Sequence, residues 1–244
     1  MNKQQELAVR FALVREQIAA AAKAAGREAS DISLLPVSKT FSTAVIADAH
    51  ALGEMRFGEN KAQEIRDKAT TLEGHNIDWV MIGYLQSNKA RYVARYASEI
   101  QSLDRLSLAK TLQRRLELED RYLNALVQVK TSTEPSKYGM APDQVGAFIK
   151  QLTEECPRLR VQGLMTMAVN SADENAVRAC FRALKQLQQQ LQAELELPGV
   201  SLDRLSMGMS GDFHLAIEEG ATEIRIGTAV FGHRQEQRDY YWPE

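Results

Sequence analysis

At 244 residues, 44% of them hydrophobic, the chain can bury a sizeable core and falls close to the roughly 250 residues of a single α/β barrel. A formal net charge of −2, from 30 basic and 32 acidic side chains, excludes the basic footprint of a nucleic-acid binder; Arg114 and Arg115 belong to a mixed-sign run, RRLELEDR, that suits a solvated helix face. No run of about 18 apolar residues is present to span a membrane, and Lys3, Glu6, Arg10, Arg15 and Glu16 interrupt any signal-peptide core.

The first element is a helix. Leu7, Phe11, Val14, Ile18, Ala22 and Ala25 recur at three- and four-residue steps, and Gly26 stops the run. Short apolar runs then alternate with longer amphipathic ones. The expected strands are Ser33–Val37, Met55–Phe57, Trp79–Ile82, Ile100–Ser102, Ala125–Val129, Val161–Leu164, Leu202–Leu205 and Glu223–Ile226. Between them the pattern predicts helices over Thr43–Leu52, Lys61–Thr71, Ser87–Tyr96, Arg105–Glu119, Pro142–Glu155, Asp173–Leu195 and Asp212–Glu219. Strands alternating with helices make βαβ units, and eight of them fit a (β/α)8 TIM barrel better than an open sheet. Glu196-Leu197-Pro198-Gly199 is a helix stop within the barrel, not a linker. The expected organisation is one domain over residues 1–244, with an extra N-terminal helix, a barrel core over about 32–232 and a polar tail from His233 to Glu244. Cys156 and Cys180 are too few for a disulfide framework and suit a reducing, cytoplasmic setting as apolar fillers.

Functional groups in such barrels gather at the C-terminal ends of the strands. The first strand runs into Ser38-Lys39-Thr40. An amine placed there, with its stem against apolar walls, is desolvated and becomes nucleophilic, as imine formation with an aldehyde requires. Taken alone, Lys39 is better explained as a surface lysine of a βα loop. The second strand runs into Gly58-Glu59-Asn60, where Asn60 offers a donor and an acceptor or caps the next helix. The third ends in a polar run, Gln86-Ser87-Asn88-Lys89, whose lysine suits an anionic ligand or a solvated first turn.

The seventh strand ends in Ser206-Met207-Gly208-Met209-Ser210-Gly211-Asp212 and the eighth in Arg225-Ile226-Gly227-Thr228. Barrels often bind phosphate with these two loops. Ser210 and Thr228 bring hydroxyls, Arg225 a permanent cation, and the glycines let backbone approach a ligand. Each has a plainer explanation: tight turns for the glycines, an ion pair with Glu223 for Arg225. The conjunction favours phosphate, and strand eight closes against strand one, which carries Lys39. Pyridoxal 5′-phosphate (PLP) fits that arrangement, and so does a sugar phosphate in a Schiff-base aldolase. No dinucleotide fingerprint, P-loop, zincin or nucleophile-elbow motif is present, and the four histidines are scattered with no metal-ligand spacing.

The stretches LLPVSKT at 34–40, FGENKAQE at 57–64, IGYLQSNK at 82–89, SMGMSGD at 206–212 and RIGTAVFG at 225–232, with the weaker STEPSKYGM at 132–140 and RVQGLMTM at 160–167, resemble the pyridoxal phosphate homeostasis family over about Ile32 to Gly232. The resemblance implies a barrel like the N-terminal domain of bacterial alanine racemase and PLP held as a Schiff base on Lys39. It implies that Ser210, Gly227 and Thr228 bind the phosphate, that Arg225 contacts the phosphate or the pyridine nitrogen, that Asn60 lies near the ring, and that Met165 and Met207 form pocket walls. Pro36, Tyr84, Gly211 and Phe213 depart from the family pattern and touch pocket shape.

Two classes of function follow from the resemblance. One is a PLP-binding homeostasis protein without robust catalysis, with apo-PLP enzymes as recipients of its cofactor. The other is a PLP-dependent amino-acid racemase. Racemases of this fold take a second base from a separate C-terminal domain, and the chain stops at Glu244, so the carrier is the expectation. The protein is expected to act as a monomer, with no metal, nucleic acid or membrane as partner.

Overall fold

The computed structural model describes residues 2–134 and 137–232. In chain order they form α1 (Lys3–Ala24), β1 (Ser33–Pro36), α2 (Thr43–Ala51), β2 (Arg56–Glu59), α3 (Ala62–Thr71), β3 (Asp78–Met81), α4 (Ala90–Tyr96), β4 (Ala97–Leu103) and α5 (Leu106–Leu118). There follow β5 (Leu123–Gln128), α6 (Val145–Glu155), β6 (Leu159–Met165), α7 (Glu174–Glu194), β7 (Arg204–Ser206), α8 (Phe213–Glu218), β8 (Glu223–Ile226) and α9 (Thr228–Phe231). The eight strands make one parallel sheet in the order β1-β8-β7-β6-β5-β4-β3-β2. It is a nearly closed TIM barrel, as the alternation of elements implies. The ladder stops between β1 and β2, where an isolated parallel bridge, Val37 to Gly58, draws the two edges together.

The expected elements are all present, with shifted ends. The helices expected from Ser87 and Pro142 open with short 3₁₀ turns, Ser87–Lys89 and Pro142–Gln144, before α4 and α6 begin. β2 extends through Gly58 and Glu59, and β7 lies over Arg204–Ser206 rather than Leu202–Leu205. In both strands, polar residues occupy inward or helix-facing positions where an apolar pattern marks no strand. The short helix α9, opened by Gly227, was not expected. The Tyr240-Tyr241-Trp242 tail lies outside the described residues.

The helix stripes meet the outer face of the barrel, and α1 closes one side of it. Its buried face is Leu7, Phe11, Val14, Ile18 and Ala22, the stripe read from the sequence. Phe11 meets Phe231 of α9 edge-to-face at 6.1 Å, and Arg10 Nη1 donates to Phe231 O at 3.2 Å. Arg27, just beyond α1, donates to the carbonyls of Ile217 and Ala221, each at 2.8 Å. The extra N-terminal helix therefore braces the end of the barrel that follows β7 and β8.

The barrel interior is ionic toward the N-terminal ends of its strands. Arg56 of β2, Glu99 of β4, Arg204 of β7 and Glu223 of β8 come from strands that are mostly not neighbours, so they meet across the barrel axis. Glu223 accepts from Arg56 at 2.9 Å and from Arg204 at 2.7 Å. Glu99 pairs with both arginines as well. Gln101 Nε2 bridges the carboxylates, donating to Glu99 at 2.7 Å and to Glu223 at 2.5 Å. Burial pushes the Glu223 carboxyl up, but Arg204 and Arg56 more than offset this and hold it below the usual carboxylate range. Glu223→Ala would leave two guanidinium groups to share Glu99 alone and is expected to cost about 3 kcal/mol, read by urea unfolding.

Candidate functional site

A cavity of about 690 Å³ opens at the C-terminal ends of the strands. Its wall includes Lys39, Asn60, Met165, Ser210, Arg225, Gly227 and Thr228, so seven of the eight residues singled out from the sequence come together. Strand alternation explains why. Leu35 and Val37 of the first strand segment face the barrel axis, and Lys39 continues that series. Gly58 does likewise on β2, with Asn60 after it. On β8, Ile224 and Ile226 pack outward into the helical layer while Glu223 and Arg225 face in.

Met207 is the exception. It is fully buried in the core between sheet and helices and is not among the residues that line the cavity. Its neighbour Ser206 faces the barrel axis, so the period of two turns Met207 outward. Met209 lines the cavity instead.

Arg225 is buried at the cavity wall. Its guanidinium donates to Ser206 Oγ at 2.7 Å and to Thr166 O at 2.8 Å, not to Glu223, which is occupied by Arg56 and Arg204. Ser206 Oγ in turn donates to Gln101 Oε1 at 2.7 Å, which ties Arg225 to the ion network below. Burial lowers its pKa to about 10, with Glu223 and Asp212 acting in the opposite direction. Among the described residues, the barrel axis holds Arg56, Arg204 and Arg225 against Glu99 and Glu223. The surplus cation is the one that faces the cavity, and it suits an anion. Ser210 and Thr228 add hydroxyls, and Gly227 caps α9, whose opening N–H groups have no intrahelical acceptor.

Two glycines shape the wall for reasons of space. A Cβ on Gly83 would lie 2.3 Å from Asn60 O, so only glycine lets the end of β3 seat Asn60. Gly208 has φ +92, and its Cβ would meet Ala216 Cβ at 2.6 Å, so its role is to pack the turn on α8 rather than to approach a ligand. Across the opening, Tyr84 and Tyr138 stack with ring centroids 4.6 Å apart, and the Arg105 guanidinium lies 4.7 Å from the Tyr84 ring centre. Lys61 and Lys89 also line the cavity.

Sequence reasoning missed the cluster behind Lys39. Glu59, fully buried, accepts from Ser38 Oγ at 2.5 Å and from Lys68 Nζ at 2.7 Å. Lys68 also donates to Ser38 O and to Glu64 Oε2, both at 3.0 Å, and Glu64 accepts the Thr40 N–H at 2.9 Å. The available signal was Lys68 itself, a lysine on the stripe Ala62, Ile65, Leu72 of α3 and its end. Burial drives the Glu59 pKa up to about 7, against the pull of Lys68 and Ser38. Burial also raises Glu64, but the Thr40 N–H and Lys68 outweigh it and leave Glu64 below its ordinary value. Cys156 and Cys180 are free thiols buried away from the cavity.

This is a barrel of the alanine racemase N-terminal-domain class: the family model described as "Alanine racemase, N-terminal domain" matches residues 12–235. An alanine racemase from Clostridium difficile superposes with a TM-score of 0.69 at 13% identity, over 91% of this chain and 57% of its own, a likeness of fold. The chain belongs to the pyridoxal phosphate homeostasis protein family. A protein of that description from Pseudomonas aeruginosa is 40% identical over 228 residues, 93% of this chain and 96% of its own. PipY of Synechococcus elongatus, solved with PLP bound, matches with a TM-score of 0.80 and 34% identity over 93% of this chain and 100% of its own.

The raised Glu59 pKa has a definite sign. Between 4.5 and about 7 the folded chain holds a proton that the unfolded chain has lost, so this group's contribution to stability falls as pH rises through that window. Glu64, with its lowered pKa, contributes stability above 4.5 that is lost as pH falls through its folded value. Glu59→Gln is expected to gain stability over the parent chain as pH rises, most above pH 7. Urea midpoints across a pH series check this, and parallel curves would contradict it.

Proposed function

We propose that this chain binds PLP in the barrel-mouth cavity, with Lys39 as its covalent attachment point, and serves intracellular PLP homeostasis rather than robust catalysis. The observation that carries the reading is the shared wall of one cavity: a lysine on the first strand's loop and, from the loops after strands seven and eight, two hydroxyls and a buried arginine that no carboxylate contacts among the described residues. Relatives at about 40% identity are named for PLP homeostasis, and PipY, matched over its whole chain, is solved with PLP bound, which supports the same ligand here.

The donor set fits the group. PLP supplies an aldehyde that condenses with an amine and a ring that withdraws electrons, together with a phosphate. Lys39 presents the amine. Ser210, Gly227 and Thr228 bind phosphate oxygens, and Arg225 supplies the compensating cation at the phosphate or the ring nitrogen. Asn60 orients the ring by hydrogen bonding, and Met165 packs beside it. In this reading Met207 has only a core role.

The barrel acts as a monomer and passes PLP to apo-enzymes. Its two buried thiols support a reducing, cytoplasmic setting. The purified chain is expected to show the visible absorption of a lysine-bound PLP and to lose it in Lys39→Ala, with a PLP-sized mass on the Lys39 peptide after borohydride reduction. Absence of the band from the parent chain would refute PLP binding. Vigorous alanine racemisation in the same preparation would replace the carrier reading with a racemase.

A further inference from the structure

We propose that Glu59 and Lys68 are positioning residues for Lys39, forming a side-chain clamp across the β1–β2 seam, where a single isolated bridge joins the two edges of the sheet. The inference rests on the reading of Lys39 as the PLP attachment point.

Parallel strands are normally joined by evenly spaced backbone hydrogen bonds. Between β1 and β2 the sheet has only the Val37–Gly58 bridge, with Ser38 N donating to Gly58 O at 3.0 Å. Lys39 follows directly on the β1 side, and Asn60 on the β2 side, so the seam runs under the two residues that line the cavity there. Thr40, the next residue, has φ +71, a left-handed conformation that a β-branched side chain rarely adopts and that the surroundings must enforce.

The clamp provides that enforcement from the outer face of the barrel. Glu59, at the end of β2, takes the Ser38 hydroxyl across the seam. Lys68, from α3, reaches over the same seam to the Ser38 carbonyl and joins both carboxylates. Glu64 holds the N–H of the left-handed Thr40. The backbone on either side of Lys39 is thus bonded to side chains of α3, and the Ser38 hydroxyl to Glu59 of β2, while Lys39 itself lines the cavity. These contacts replace ladder bonds with ionic ones that leave the inner face clear for a ligand. Glu59 Oε2 is buried with no hydrogen-bond partner among the described residues, a cost that a purely structural seam would avoid.

The test uses the full chain, PLP titration read by the visible band, and amide hydrogen exchange of the PLP-free protein. Lys68→Met is expected to bind PLP about tenfold more weakly and Ser38→Ala about threefold. In both, exchange should quicken at residues 38–41 while the rest of the barrel stays protected. If Lys68→Met does not fold, Ser38→Ala decides alone, since it removes one hydroxyl. A parent chain with no band removes the PLP reading and this inference with it. A parent band together with variants of parental affinity and parental exchange at 38–41 overturns the clamp alone. Exchange raised throughout the barrel in Lys68→Met, with Ser38→Ala unchanged, also overturns it and assigns the cluster to general stability.

Discussion

Eight strands wound into a barrel force side chains from distant parts of the chain onto one narrow axis, and here much of that axis is ionic. Among the described residues, three arginines and two glutamates share it, linked by Gln101 and Ser206. Each carboxylate is held by guanidinium groups from other strands, so burial is tolerable only when all the strands are in place. The charges do not cancel, and the surplus cation sits highest, at the cavity wall. The same arrangement that fills the barrel therefore sets the electrostatic character of its mouth. An anion arriving there completes a network that folding alone leaves one charge short.

The site is distributed around the mouth so that adjacent stretches of its wall do different work. β8 and the loop after β7 supply Arg225, Thr228 and Ser210 from a continuous part of the sheet. The β1–β2 side supplies Lys39 and Asn60 from the discontinuous part. As the proposed attachment point, Lys39 needs close placement, yet it stands at a seam joined by one isolated bridge. Side-chain bonds from α3 and the end of β2 make up the difference.

Much of this was legible in the sequence, since the outer layer of a barrel obeys simple patterns. The stripe of α1, the alternation of strands and helices, and the polar residues after each apolar run all derive from contact with one apolar layer. The inner layer does not announce itself. Ser206 looks like a loop residue after Leu205, which hides the true end of β7, and Glu59 looks like the start of a turn although it is fully buried. The resemblance implies a cavity wall at Met207, whereas strand alternation carried on from Ser206 turns it outward into the core. Ion partners such as Glu99 and Arg204 are 105 residues apart, and only the closed sheet pairs them.

The brace between α1 and the end of the barrel has a consequence for how the chain comes into being. Arg10 bonds the carbonyl of a residue 221 positions later, and Phe11 packs on the same residue. Among the described helices α1 is thus made first and yet is among the last to find its partner. Until α8 and α9 are made, a large part of its Leu7, Phe11, Val14 and Ile18 face lacks the surface that finally covers it. Contacts this remote in sequence slow folding and leave apolar surface exposed to association with other chains in the meantime. A nascent barrel of this kind depends on β8 and α9 not only to complete its mouth but to cover α1.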